Sequence, residues 1–197
     1  MGVKLGLTGS IGMGKSTTAG FFREFGVPVW DADAEVHNLY AKDGGAVKPI
    51  KALVPLATVK GYVDRTALKV EIAKDQTLLG KIEAILKPLL AHSRQDFHNQ
   101  HNKSPVMVFD IPLLFETDAE SWMDYVLVVT APEAVQRERI FERGTMTEDM
   151  LQTILSRQMP DNEKRALADY IFDTSRGKEH TKAEVKALIS ELEQEYA

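Results

Sequence analysis

Gly9-Ser10-Ile11-Gly12-Met13-Gly14-Lys15-Ser16-Thr17 has the spacing of a phosphate-binding loop: glycine, four residues, then Gly-Lys-Ser. Glycines let the backbone curl until successive N–H groups point inward and form a nest for phosphate oxygens. A helix beginning behind such a loop adds roughly half a positive unit charge at its N-terminus. Lys15 has the reach for the β- and γ-phosphates of a nucleoside triphosphate, and the Ser16 hydroxyl suits a magnesium ion. The segment therefore predicts a triphosphate site built from Gly9, Ile11, Gly12, Met13, Gly14, Lys15, Ser16 and Thr17.

Other residues bear on which phosphate chemistry follows. Asp31-Ala32-Asp33 stands at the end of an apolar stretch, Val27-Pro28-Val29-Trp30, so its carboxylates fall at a strand edge where ligands of parallel α/β sheets gather. Asp33 could take the proton of an attacking hydroxyl, or could cap a helix starting near Ala34. Asp110 ends a third apolar stretch and suits a magnesium-bound water, a substrate or a turn cap. Arg137, Arg139 and Arg143 lie on one helical pattern, with Arg139 and Arg143 on one face. Guanidinium forks suit phosphate oxygens, while Glu138 and Glu142 offer them ordinary surface partners. His98 and His101 lack nearby carboxylates at ligand spacing and read as surface residues. A GTPase does not fit. The third strand runs into Asp110-Ile111-Pro112-Leu113 without glycine, and Thr181-Lys182-Ala183-Glu184 has Glu where a guanine reader has Asp.

The elements that must position these groups alternate. Strands are expected at Val3–Thr8, Val27–Trp30, Val106–Asp110, Tyr125–Thr130 and Tyr170–Asp173. Two of them are almost continuously apolar, as in strands covered on both faces. Helices are expected after the loop, from Pro132 to about Arg143, from a Thr147 cap, and from Thr181, where Glu184 completes a capping box. The stretch from about Asp64 to Gln100 is helical in pattern, and Pro88 should kink it or start a new helix. The pattern implies an α/β fold, a five-stranded parallel sheet covered by helices on both faces, with insertions at 34–103 and 144–164. The chain has 197 residues, enough for one domain without staples. Its net charge of −5 weighs against a general nucleic-acid binder. The absence of cysteine excludes disulfides and sulfur-ligated zinc. No signal peptide and no apolar run of about 20 residues is seen, so a cytoplasmic protein with no membrane span is expected.

Five ordered segments resemble the dephospho-CoA kinase family. They are Leu7–Thr17, Asp31-Ala32-Asp33, Gly61-Tyr62-Val63-Asp64-Arg65-Thr66-Ala67-Leu68, Asp110-Ile111-Pro112-Leu113-Leu114-Phe115-Glu116, and Gln136, Arg139 and Arg143 followed by Arg157-Gln158 and Ala168-Asp169. Two positions depart from that family's pattern: Lys87-Pro88 replaces His-Pro, and Thr174-Ser175-Arg176-Gly177 replaces Asn-x-Gly. The resemblance implies a P-loop NTPase fold in a single kinase domain over 1–197. Its core would be 1–33, 104–143 and 165–197, with an acceptor-binding helical part over 34–103 and a lid over 144–164. It implies ATP and dephospho-CoA as substrates, Mg²⁺ as the ion and no nucleic-acid or membrane partner. Lys15, Asp33 and Arg139 would serve catalysis, with Asp33 either deprotonating or positioning the acceptor hydroxyl. Arg143 would join the phosphate loop on the ATP side. Asp33, Arg65, Lys87, Asp110 and Leu114 would meet the acceptor, and Ser16 the metal. The same phosphate loop also serves nucleoside monophosphate kinases and, in a different class, nucleotide-dependent binding switches.

Overall fold

The computed structural model describes residues 2–142, 144 and 146–195. In chain order the elements are β1 (Val3–Thr8), α1 (Lys15–Glu24), β2 (Val29–Asp31), α2 (Ala32–Tyr40), α3 (Val47–Leu53), the short strands β3 (Thr58–Val59) and β4 (Tyr62–Val63), α4 (Arg65–Lys74), α5 (Thr77–Gln100), β5 (Val106–Asp110), β6 (Tyr125–Thr130), α6 (Glu133–Glu142), α7 (Glu148–Leu155), α8 (Asp161–Ala166), β7 (Tyr170–Asp173) and α9 (Lys178–Glu195). They gather into two compact units, Met1–Trp30 with His101–Ala197, and Asp31–Gln100.

The first unit is built on a five-stranded parallel sheet in the order β2-β5-β1-β6-β7. β1 lies between β5 and β6, with Leu5 beside Val108 and Leu7 beside Leu127. Val3, Leu5, Leu7, Val108, Leu127, Val129 and Phe172 form one buried face against Ala19 and Phe22 of α1 and Val185, Leu188 and Leu192 of α9. On the other face Gly6 pairs with Phe109, whose ring meets Trp122 edge-on at 5.1 Å. A Cβ on Gly6 would stand 2.7 Å from Leu114 Cδ1, so the residue stays bare because the next layer presses on it. All strand carboxyl ends share one edge, and Thr8, Asp110, Thr130 and Asp173 lead from it. The β-branched residues favour strands locally, and burial on both faces of the sheet reinforces that preference.

The second unit is mostly helical and packs Tyr40, Val47, Ile50, Val54, Val63, Leu68 and Ile82 into its own core. Five details refine the sequence expectation. The second strand starts at Val29 and takes in Asp31; just before it, Pro28 O accepts from Val108 N–H at 2.9 Å. Asp31, not Asp33, caps α2, accepting from Ala34 N–H at 3.0 Å. Of the two alternatives for Pro88, a new helix does not occur: the proline sits inside one helix of 24 residues. The hairpin β3–β4 carried no strand pattern, being two residues a side around Lys60-Gly61, both at positive φ. In the first unit α9 opens at Lys178, so Thr181 is a helical residue whose hydroxyl returns to Gly177 O at 3.2 Å instead of capping. Thr147 does cap α7, its hydroxyl accepting from Met150 N–H.

Candidate nucleotide site

The loop from Gly9 to Gly14 leaves β1 and delivers the chain to α1 with Gly14 at φ 90° and Gly12 at φ 79°. A side chain would be strained at either position, and a Cβ on Gly14 would crowd Thr174 Oγ1 at 3.0 Å. The start of α1 has no side-chain cap and no acidic residue in its first turn. A bare, positive helix end of this kind favours an anion. Lys15 Nζ forms an ion pair with Asp110 Oδ1. Asp110 is 2% exposed, so the lysine is held at the mouth of the loop by a carboxylate that water barely reaches. Ser16 and Thr17 are exposed on the first turn. Met13 contributes only backbone, since its side chain is buried and its sulfur accepts from Ala131 N–H at 3.1 Å.

The wall beside the loop is a network that the sequence reading did not find. Arg139 donates to Thr174 Oγ1 and to Thr174 O, both at 2.8 Å, and to Gly12 O at 3.4 Å. The buried Thr174 hydroxyl lies 2.9 Å from Met13 O and 3.2 Å from Thr130 O. Thr174 thus ties Arg139, the loop and the ends of β6 and β7 together. A cleft of about 470 Å³ opens there, lined among others by Gly12, Gly14, Thr17, Arg139, Thr174 and Gly177. That volume matches the range of small-molecule sites.

A third group of contacts roots the α7–α8 segment in the same edge. Glu116 Oε1 accepts from Met159 N–H at 2.7 Å and lies 2.9 Å from Lys164 Nζ. The Lys164 side chain is fully buried. Burial pushes the Glu116 carboxyl up, but the Lys164 ammonium and the Met159 N–H outweigh it and hold it below the usual carboxylate range. Arg137 forks onto Glu148 at the start of α7, with one bond at 3.0 Å.

The structure therefore brings together Gly9, Ile11, Gly12, Met13, Gly14, Lys15, Ser16, Thr17, Asp110 and Arg139 in the first unit. Arg143 lies outside the described residues. Asp110, expected toward the acceptor, is the counter-ion of Lys15. Leu114, also expected there, is fully buried against Gly6, so its apolar volume serves the core. Asp33, Arg65 and Lys87 are exposed residues of the second unit. Arg65 opens α4 directly after Asp64, whose carboxylate caps that helix at Thr66 and Ala67 N–H. Half-buried Arg94 of α5, unremarked in the sequence, is pushed down from the usual arginine pKa by its burial.

Parallel sheet, phosphate loop and loop lysine define a P-loop α/β kinase-type protein. The dephospho-CoA kinase family model, CoaE, matches residues 3–179. The dephospho-CoA kinase of Jannaschia sp. (strain CCS1) is 53% identical over 192 residues, covering 98% of each chain. That of Cereibacter sphaeroides is 53% identical over 189 residues, covering 96% of this chain and 95% of the relative. Among solved structures, TT1252 from Thermus thermophilus superposes with a TM-score of 0.84 at 30% identity, over 97% of this chain and 98% of that one. Dephospho-CoA kinase from Campylobacter jejuni shares the fold, with a TM-score of 0.75 at 23% identity over the full length of both chains. The chain belongs to the dephospho-CoA kinase family, and it is a kinase.

Proposed function

We propose that the protein transfers the γ-phosphoryl group of ATP to the ribose 3′-hydroxyl of dephospho-CoA, giving CoA and ADP in the cytoplasm. The observation that carries this reading is the Lys15–Asp110 pair at an uncapped helix start, inside a chain of this family. The amides of Gly12 to Thr17 hold the triphosphate. Lys15 balances the charge that develops on the transferred group as the 3′-oxygen bonds to phosphorus and the bond to ADP breaks. Arg139, already locked by Thr174 and Gly12 O, flanks the same loop as a fixed positive charge. Asp33 receives or orients the proton leaving the hydroxyl; it is exposed and free of the capping role, which Asp31 fills.

Magnesium fits as an ion that arrives with the nucleotide. Among the described residues no group of three His, Asp or Glu side chains is placed to hold a metal, whereas the exposed Ser16 hydroxyl suits an ion sharing its shell with phosphate oxygens. Ser16 would hold it, and the ion would neutralise charge across the β- and γ-phosphates.

The test is to incubate the protein with Mg-ATP and dephospho-CoA, and separately with AMP, CMP or no acceptor, and to measure products by mass. CoA and ADP should form in equal amounts with dephospho-CoA alone. Phosphorylation of AMP or CMP with dephospho-CoA inert would replace this assignment. Asp33→Asn should remove transfer while sparing ATP affinity, and a near-normal kcat would take Asp33 out of the chemistry.

A further inference from the structure

The outer arm of the phosphate loop is held by two glutamines. Ile11 N–H donates to Gln158 Oε1 at 3.3 Å, and Ile11 O accepts from Gln136 Nε2 at 2.7 Å. Both backbone groups of one loop residue are thus satisfied by side chains, and a neutral amide can serve either role. Gln136 is 5% exposed on α6 and rides on a packed helix. Gln158 is different: it lies in the turn between α7 and α8. That turn is fixed immediately afterwards by Met159 N–H on Glu116, by Lys164 beside Glu116, and by Thr130 Oγ1 on Asp161 Oδ2 at 2.8 Å. The short stretch from Asp110 to Glu116 therefore holds Lys15 at one end and the root of the α7–α8 segment at the other.

We propose that Gln158 is a positioning residue: anchored through Glu116, it holds the Ile11 peptide so that the phosphate loop keeps its receptive shape and follows the α7–α8 segment. The idea rests on the phosphoryl-transfer reading above for its kinetic consequence, though not for its structural one. Amides that point inward before the phosphate arrives need no reorganisation during the reaction. Without the Gln158 carbonyl, the Ile11 peptide can turn and the nest loses alignment.

Gln158→Met keeps the side-chain length and removes the acceptor. In the nucleotide-free protein, hydrogen exchange of the peptide covering residues 9–16 should quicken, while the melting temperature stays near that of the parent. The KM for ATP should rise about three- to tenfold, the size expected for one neutral hydrogen bond, with the KM for dephospho-CoA unchanged. Gln136→Met should quicken exchange in the same peptide, and the double variant should exceed neither single by the full sum, because both act on one residue. Gln158→Glu still accepts from Ile11 N–H and should restore protection in the nucleotide-free protein. Unaltered loop exchange in Gln158→Met, or protection that Gln158→Glu does not restore, would overturn the proposal. Absence of any transfer to dephospho-CoA by the parent protein would instead remove the functional reading, and the exchange result would still decide this one.

Discussion

At the scale of single residues, the site depends on groups that hold other groups. Asp110 holds Lys15, Thr174 holds Arg139, and Gly14 leaves room for Thr174. Gly14 is the most constrained of these. It combines φ 90° with a wall of Thr174 atoms 3.0 to 3.2 Å from where a Cβ would stand. Gly14→Ala should therefore lower Tm by about 5 °C, from a left-handed penalty of about 1–2 kcal/mol, and should weaken ATP binding more than tenfold. Differential scanning fluorimetry and calorimetric titration check both. An alanine variant that melts and binds like the parent would show the loop to be looser than its geometry implies. The glycine and the lysine were legible from spacing alone, because a phosphate nest needs those residue types within one short segment. Thr174 was not legible as a clamp, since its partners come from residues 13, 130 and 139.

At the scale of elements, the ends of helices carry most of the consequence. The start of α1 is left without a cap where a triphosphate is to bind, whereas α2, α4 and α7 are each capped by a side chain, from Asp31, Asp64 and Thr147. The capped helices are satisfied by the protein itself. α3 and α8 also lack a side-chain cap, but α1 alone of the three follows a glycine-rich phosphate-loop sequence, so its free amides suit an anion. Pro88 marks the opposite case, a breaker kept in the interior of α5. Its ring removes the bond to the carbonyl four residues back, which in an unconstrained helix costs about 3 kcal/mol. Pro88→Ala should therefore raise the melting temperature, measured by circular dichroism, and an unchanged or lower value would mean that the surrounding helices already absorb the ring. Sequence pattern detected the α5 stripe of Ile82, Ile85, Leu86 and Leu89 and expected Pro88 either to kink the helix or to start a new one; it starts no new one. The burial of Ile82 in the core of the second unit, with Ile85, Leu86 and Leu89 packed on it, outweighs the local penalty.

At the scale of the whole molecule, ligand and fold stabilise each other by mass action. A non-hydrolysable ATP analogue with magnesium at about a hundred times its Kd should add about 2.7 kcal/mol, or about 5–10 °C in Tm for a chain of this size. Lys15→Met should erase most of that shift, and an equal shift in the variant would show that the lysine does not meet the nucleotide. Most strand positions, the phosphate-loop pattern and the Thr147 cap could be read before any coordinates, because each rests on spacing within a few residues, and the family could be read from five such short segments in order. Lys164 shows where that reading ends. Asp161-Asn162-Glu163-Lys164-Arg165 is a run of polar residues with nothing in it that points to burial, yet Lys164 is fully buried beside Glu116. The local order of residues determines which backbone shapes are affordable. Only the packed chain decides which polar side chains leave water, since the carboxylate or carbonyl that compensates a buried charge arrives from a distant segment.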